Sequence, residues 1–114
     1  MADSTPLQIQ TQRTPSALVL APQGEIATHE APTMQHAVKE AFDARPPKVV
    51  IDLSSVSYMA TSGLATLVQA AQQSNKTKIP LVLCGLQERV KAVIDISRLT
   101  SFFKIVGSRD EAGV

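Results

Sequence analysis

The sequence predicts a mixed α/β domain, with an N-terminal antiparallel strand pair, then parallel β-α-β units, and helices packed against the sheet. Three observations predict it. Short apolar runs alternate with segments whose apolar residues recur at helical spacing, the pattern of parallel strands joined by crossover helices. Two strand-like runs near the start are separated only by Thr14-Pro15-Ser16, too short a link for a crossover and therefore a hairpin. The chain has 114 residues, 44% of them hydrophobic and 18% charged, which suits one domain with its own core and argues against disorder.

Residues 1–6 are polar and are expected to form a flexible N-terminus, with 7–114 as a single domain. Leu7 to Gln12 alternates apolar and polar residues, the signature of a half-buried strand. Ala17 to Ala21 is a second strand, which Pro22 and Gly24 are expected to close. A helix starts between Thr28 and Glu30, because Pro32 fits only in a first turn, where a missing N–H does little harm. Met34, Val38, Ala41 and Phe42 form its apolar face, and Pro46-Pro47 stops it. Lys48 to Leu53 is apolar almost throughout, as in the middle of a sheet. A short polar turn is expected next, then a helix from about Ser62 to Ser74 with Leu64, Leu67, Val68 and Ala71 toward the sheet. Asn75 to Lys78 reads as a surface turn and Ile79 to Cys84 as a strand, Pro80 being tolerable at its beginning. Leu86, Val90, Val93 and Ile94 mark a third helix from Leu86 to Ile96, and Phe102 to Val106 a last strand. Ser108, followed by Asp110 and Glu111, suits the opening of a C-terminal helix that is short or missing.

Bulk properties exclude several function classes. Net charge is +1 and the eleven Lys and Arg are scattered, so the basic stripe of a nucleic-acid binder is not expected. No run approaches the roughly 18 apolar residues of a membrane helix, and the N-terminus lacks the pattern of a signal peptide, which points to a cytoplasmic protein with no direct membrane insertion. Cys84 is the only cysteine, so an intrachain disulfide is excluded, and its apolar setting suits a buried, inert thiol. His29 and His36 lack nearby Cys or Asp partners and are expected at exposed polar positions, with no metal site. Ser55 and Ser62 lack a nucleophile-elbow pattern, and Thr61-Ser62-Gly63 lacks the glycines and Lys of a phosphate loop. Asp52, at a strand end, is expected to hydrogen-bond the following turn. No catalytic residue and no cofactor is expected, and the chain does not read as an enzyme.

One stretch stands apart. Between Asp52 and Lys76 there is no Lys, Arg, Asp or Glu, and two hydroxyls, Thr61 and Ser62, stand at the start of the helix within it. They admit two readings. The hydroxyls cap orphan N–H groups, worth about 1 kcal/mol, with Gly63 allowing close approach of a neighbouring backbone. Alternatively, the outward side of the helix, with Thr61, Ala65, Thr66, Gln69, Gln72 and Gln73, is a neutral surface that a partner can bury without stripping water from charges.

This stretch, "VVIDLSSVSYMATSGLATLV", resembles the central signature of STAS domains, the domains of sulphate transporters and anti-sigma factor antagonists. The family pattern is an apolar strand ending Asp-Leu-Ser, then an apolar residue, Asp, two small hydroxyl residues and Gly-Leu. "LAPQGEIATHEAP" is similar to the family's Gly-Glu-Leu-Asp turn before the first helix. "LVLCGLQERVKAVIDISRLTSFFKIV" is similar to its fourth strand, third helix and closing strand. The resemblance covers about Leu7 to Val106. It implies an anti-sigma factor antagonist of a partner-switching pathway, which binds an anti-sigma factor and so frees a sigma factor. The anti-sigma factor is commonly also a kinase, which phosphorylates the antagonist on the hydroxyl before the signature Gly, and a phosphatase resets it. That hydroxyl is Ser62 here, with Thr61 as second candidate. The partner-binding residues implied are Thr61, Ser62, Gly63, Ala65, Thr66 and Gln69, and the free protein is expected to be a monomer.

Two positions depart from the pattern: the family's Asp residues flanking the switch serine are Ala60 and Ala27 here. This leaves a phosphoswitch guided by other contacts, or a constitutive partner-binding protein without phosphorylation. A third reading of the resemblance is a soluble STAS subunit docking to a membrane transporter.

Overall fold

A computed structural model of the chain describes residues 7–114, and the expected flexible start at 1–6 lies outside the described residues. In chain order the elements are β1 (Gln8–Arg13), β2 (Leu18–Ile26), a 3-10 turn (Thr28–Glu30), α1 (Ala31–Asp43), β3 (Val49–Asp52), β4 (Val56–Met59), α2 (Thr61–Thr77), β5 (Leu81–Cys84), α3 (Glu88–Ile96), a second 3-10 turn (Thr100–Phe102), β6 (Ile105–Val106) and α4 (Arg109–Ala112). β1 and β2 pair antiparallel as the short link required, and the Thr14 hydroxyl accepts from the Ala17 amide at 3.0 Å in the turn. All other pairings are parallel, in the order β1-β2-β3-β5-β6, with β4 beside β2.

β2 is longer than the sequence suggested, and it does two jobs. Its first half, Leu18 to Leu20, pairs with β3, and its last residues, Gly24 to Ile26, pair with β4. Pro22 therefore does not close the strand. It falls in the gap between the two parallel partners, where no ladder bond is needed on that side. β4 itself replaces the expected polar turn. Ser57 is an extra residue in it, since Gly24 pairs with Val56 and Glu25 with Tyr58. The bulge spaces the buried Val56 and Met59 three apart, which hides the period of two that marks a strand.

Alternation along the central strands sends side chains to two cores. Leu18, Leu20, Val49, Ile51 and Leu83 meet the apolar faces of the helices, including Met34, Val38, Phe42, Leu64, Leu67, Val90 and Ile94. Val19, Val50, Val82 and Cys84 point to the opposite face and pack with Ala112 of α4. Burial on both faces explains the unbroken apolar run of β3.

Other boundaries shift for local reasons. Asn75 to Thr77 complete α2 rather than forming a turn, and Lys78 ends it in the left-handed conformation, φ 64°. Phe102 closes a 3-10 turn, so the last strand shrinks to Ile105–Val106. The C-terminal helix is present and four residues long, its Ser108 hydroxyl accepting from the Glu111 amide at 3.3 Å.

The start of α2 and the C-terminal tail are each held by specific contacts. A methyl group at Gly63 would lie 2.7 Å from both Ile26 Cγ2 and Met59 Cγ and 3.0 Å from the Ile26 carbonyl oxygen. Only glycine lets the first turn of α2 sit directly on the ends of β2 and β4. On the opposite face, Arg109 Nε donates to Asp52 Oδ2 at 2.6 Å, and Asp52 Oδ1 accepts from the Ser54 amide at 3.0 Å, the turn contact expected of this carboxylate. Lys48 Nζ donates to the Ala112 carbonyl and Ser16 Oγ to that of Gly113, so the tail is held over the second core.

Gly63→Ala is expected to cost about 1–3 kcal/mol, as overpacking against backbone and two buried side chains does, measured by urea unfolding. Burial alone favours neutral Asp52, but the Ser54 amide and the Arg109 guanidinium outweigh it and hold the carboxyl below its ordinary value. A lowered folded pKa gives stability that is present above the ordinary carboxylate range and lost as pH falls through the folded value. Asp52→Asn is accordingly expected to lose about 1–3 kcal/mol at neutral pH. The gap from wild type should narrow as unfolding is repeated below about pH 4.

Candidate functional site

β2 and β4 run parallel and end side by side, at Ile26 and Met59. One residue then separates each strand from a helical start. Ala27 leads into the 3-10 turn at Thr28, and Ala60 leads into α2 at Thr61. The Ala60 amide bonds the Ile26 carbonyl at 2.9 Å, which locks the two exits together.

Ala27 and Ala60 occupy the N-cap positions. Both have the extended backbone a cap requires, and neither has a side chain that can accept a hydrogen bond. Thr61 and Ser62 are the first two residues inside α2, so the capping reading of these hydroxyls does not hold. The first-turn N–H groups of α2 have no side-chain acceptor from the cap. At the neighbouring start, Glu30 Oε1 accepts from the Ala27 amide at 3.2 Å.

Ser62 is half-buried and its hydroxyl donates to Thr28 Oγ1 at 3.3 Å across the two helical starts. Thr61, Ala65 and Gln69 are exposed along the same side of α2, with Gln72 beyond them. Two residues expected on this surface are not on it. Gly63 is buried in the seat on β2 and β4. Thr66 is fully buried and donates to the Gly63 carbonyl at 2.5 Å. It lies about one turn from Gly63 and on the same side, because α2 packs against α1 as well as the sheet and its buried arc is correspondingly wide.

Two residues join the site that sequence reasoning passed over. Thr28 is brought to Ser62 by the pairing of β2 with β4; its only linear signal is a hydroxyl at a helix start. Tyr58 is 44% exposed on β4, on the strand that feeds α2, and the bulge at Ser57 concealed that strand.

The remaining reactive groups lie elsewhere or are occupied. Cys84 is buried, and burial together with the nearby Asp52 pushes its thiol up to about 11. His29 and His36 are exposed, His36 lying 3.4 Å from Glu40. Among the described residues no group of three or more His, Cys, Asp or Glu gathers into a metal site, and no helix is long and apolar enough to cross a membrane.

Residues 8–112 match the STAS domain family. A protein described as an anti-sigma factor antagonist, BtrV of Bordetella bronchiseptica, is 30% identical over 95 residues, 83% of this chain and 82% of BtrV. The anti-sigma-B factor antagonist of Listeria monocytogenes is 34% identical over 83 residues, 72% of each chain. The crystal structure of an anti-sigma factor antagonist from Mycobacterium paratuberculosis has the same fold, with a TM-score of 0.87 at 22% identity over 97% of this chain and 93% of that one. With its strand order, its glycine-seated central helix and a match that spans nearly every described residue, the chain belongs to the STAS domain family.

Proposed function

We propose that the protein is an anti-sigma factor antagonist that docks an anti-sigma factor through the neutral surface at the start of α2, and that phosphorylation of Ser62 ends the interaction. The observation that carries this reading is the position of the Ser62 hydroxyl: partly open to solvent, at the mouth of a helix whose cap offers no acceptor, in a stretch of chain that carries no charge from Leu53 to Asn75. Thr61 is the second candidate. The docking surface is formed by Thr61, Ser62, Ala65 and Gln69, flanked by Thr28 and Tyr58, while Gly63 and Thr66 support it from beneath. The protein catalyses nothing in this scheme. The anti-sigma factor supplies the kinase activity and a separate phosphatase resets the switch, all in the cytoplasm.

The physics favours a change of surface over a change of fold. Phosphorylation adds about −1.5 to −2 charges and three acceptor oxygens. The free N–H groups and partial positive charge of a helix start tolerate such a group well. Docking, by contrast, would require that dianion to lose its water. A 1,000-fold loss of affinity needs only about 4 kcal/mol, within reach of one buried, uncompensated charge.

Ala27 and Ala60 fit this picture. A carboxylate at Ala60 would compete with a phosphate for the first-turn N–H groups of α2. Thr28 is a neutral neighbour for Ser62. Its hydroxyl accepts from Ser62 before modification and can donate to a phosphate oxygen afterward.

Incubation with the cognate anti-sigma factor and ATP is expected to place one phosphate on Ser62, detected by mass spectrometry and absent from Ser62→Ala. Ser62→Asp should weaken binding of the anti-sigma factor by at least about ten-fold while the unfolding curve stays near wild type. Binding without phosphate transfer would make the protein a constitutive antagonist, and no binding at all would overturn the reading. Ala60→Asp supplies the missing cap and is expected to raise stability by about 1 kcal/mol in urea unfolding.

A further inference from the structure

We infer that β1 is a self-association edge, and that two copies of this chain pair antiparallel through it about a two-fold axis at Gln10. Among the described residues β1 has β2 as its one neighbour, and none of their strands lies on its outer edge. It is six residues long, exposed at every residue but the half-buried Ile9, and in unbroken register with β2 from Gln8 to Arg13. Such an edge is a template for another strand unless it is blunted. Of the usual devices it has only the charge of Arg13 at its end: Gln8 to Arg13 contains no Pro, no Lys, no acid and no bulge.

A second copy fits this edge because the strand is complementary to itself. With the axis at Gln10, Gln8 lies opposite Gln12 of the other copy, Gln10 opposite Gln10 and Gln12 opposite Gln8, all on one face. Each amide both donates and accepts. On the other face Ile9 and Thr11 meet reciprocally. The strand's single charge, Arg13, falls opposite Leu7, and the two Arg13 residues stand about 20 Å apart, beyond the screening length at physiological salt. Moving the axis to Ile9 or Thr11 removes one of the three Gln pairings.

The tail prepares this face. Arg109 NH1 donates to Gln12 Oε1 at 3.1 Å, which orients the Gln12 amide and leaves its NH2 group to donate to Gln8 of the second copy. Apart from this contact, Gln8, Gln10 and Gln12 are exposed among the described residues. A six-residue strand pair is a small interface of the weak, transient class. The association therefore appears on the order of 100 μM and leaves the monomer expected from the family at low concentration. It does not depend on any role of Ser62.

Single cysteines placed along β1, with the buried Cys84 retained, test the register. Opposed residues in an antiparallel pair have Cα atoms about 4.5–5.5 Å apart, within disulfide range, whereas residues four steps out of register are not. Gln10→Cys is expected to oxidise to a covalent dimer at least about ten-fold faster than Gln8→Cys or Gln12→Cys, and the Gln8→Cys/Gln12→Cys double variant should recover the fast rate. Sedimentation velocity should show wild-type dimer at roughly 300 μM and only monomer for Gln10→Lys, with an unchanged unfolding curve. Equal oxidation rates for the single cysteines, or a wild-type monomer at that concentration, would overturn the inference.

Discussion

The architecture of the site depends on one close approach, that of α2 to the ends of β2 and β4 at Gly63. With no side chain there, the helix start reaches the Ile26 carbonyl and the flanks of Ile26 and Met59. This seat sets the height of the helix above the sheet and its rotation, and so which residues of its first turns are presented. Thr61, Ala65 and Gln69 turn outward because Gly63, Thr66 and Ala70 turn inward. Ser62 stands half-buried beside this seat, its backbone anchored by the glycine next to it.

The opposite face of the sheet is organised by a different interaction. β3 and β5 are apolar on both sides, and the second side is covered by a four-residue helix that could not hold itself there. Asp52 and Arg109 tie that helix to the sheet at a strand end, and Lys48 and Ser16 secure its carbonyls. Arg109 also reaches Gln12 on the edge strand. One guanidinium thus links the second core to the outermost strand, on the face of the sheet opposite α2.

The two alanine caps give the site its chemical character. An Asp or Ser at Ala27 or Ala60 would satisfy first-turn N–H groups and stabilise the helices. At Ala60 its absence leaves the first-turn donors of α2 without a side-chain acceptor from the cap. The helix start gives up the stability a capping side chain would add.

Apart from β4, element types and order were legible in the chain because helical and strand periods differ, and the signature around Ser62 was legible because local spacing sets what sits at a helix start. The inward face of α1 followed from spacing alone, and that of α3 at Val90 and Ile94, although α3 starts at Glu88 and leaves Leu86 before it. What the tertiary structure decided was everything that depends on a second element. Thr66 is polar yet buried because α1 packs on the flank of α2. β4 was not legible because a bulge against β2 broke its alternation. Thr28 reached Ser62 only because two strands distant in the chain end together. Asp52 found Arg109 across the sheet. Periodicity records the environment of one element averaged along its length, whereas these contacts are set by how two elements meet, and no local pattern encodes that.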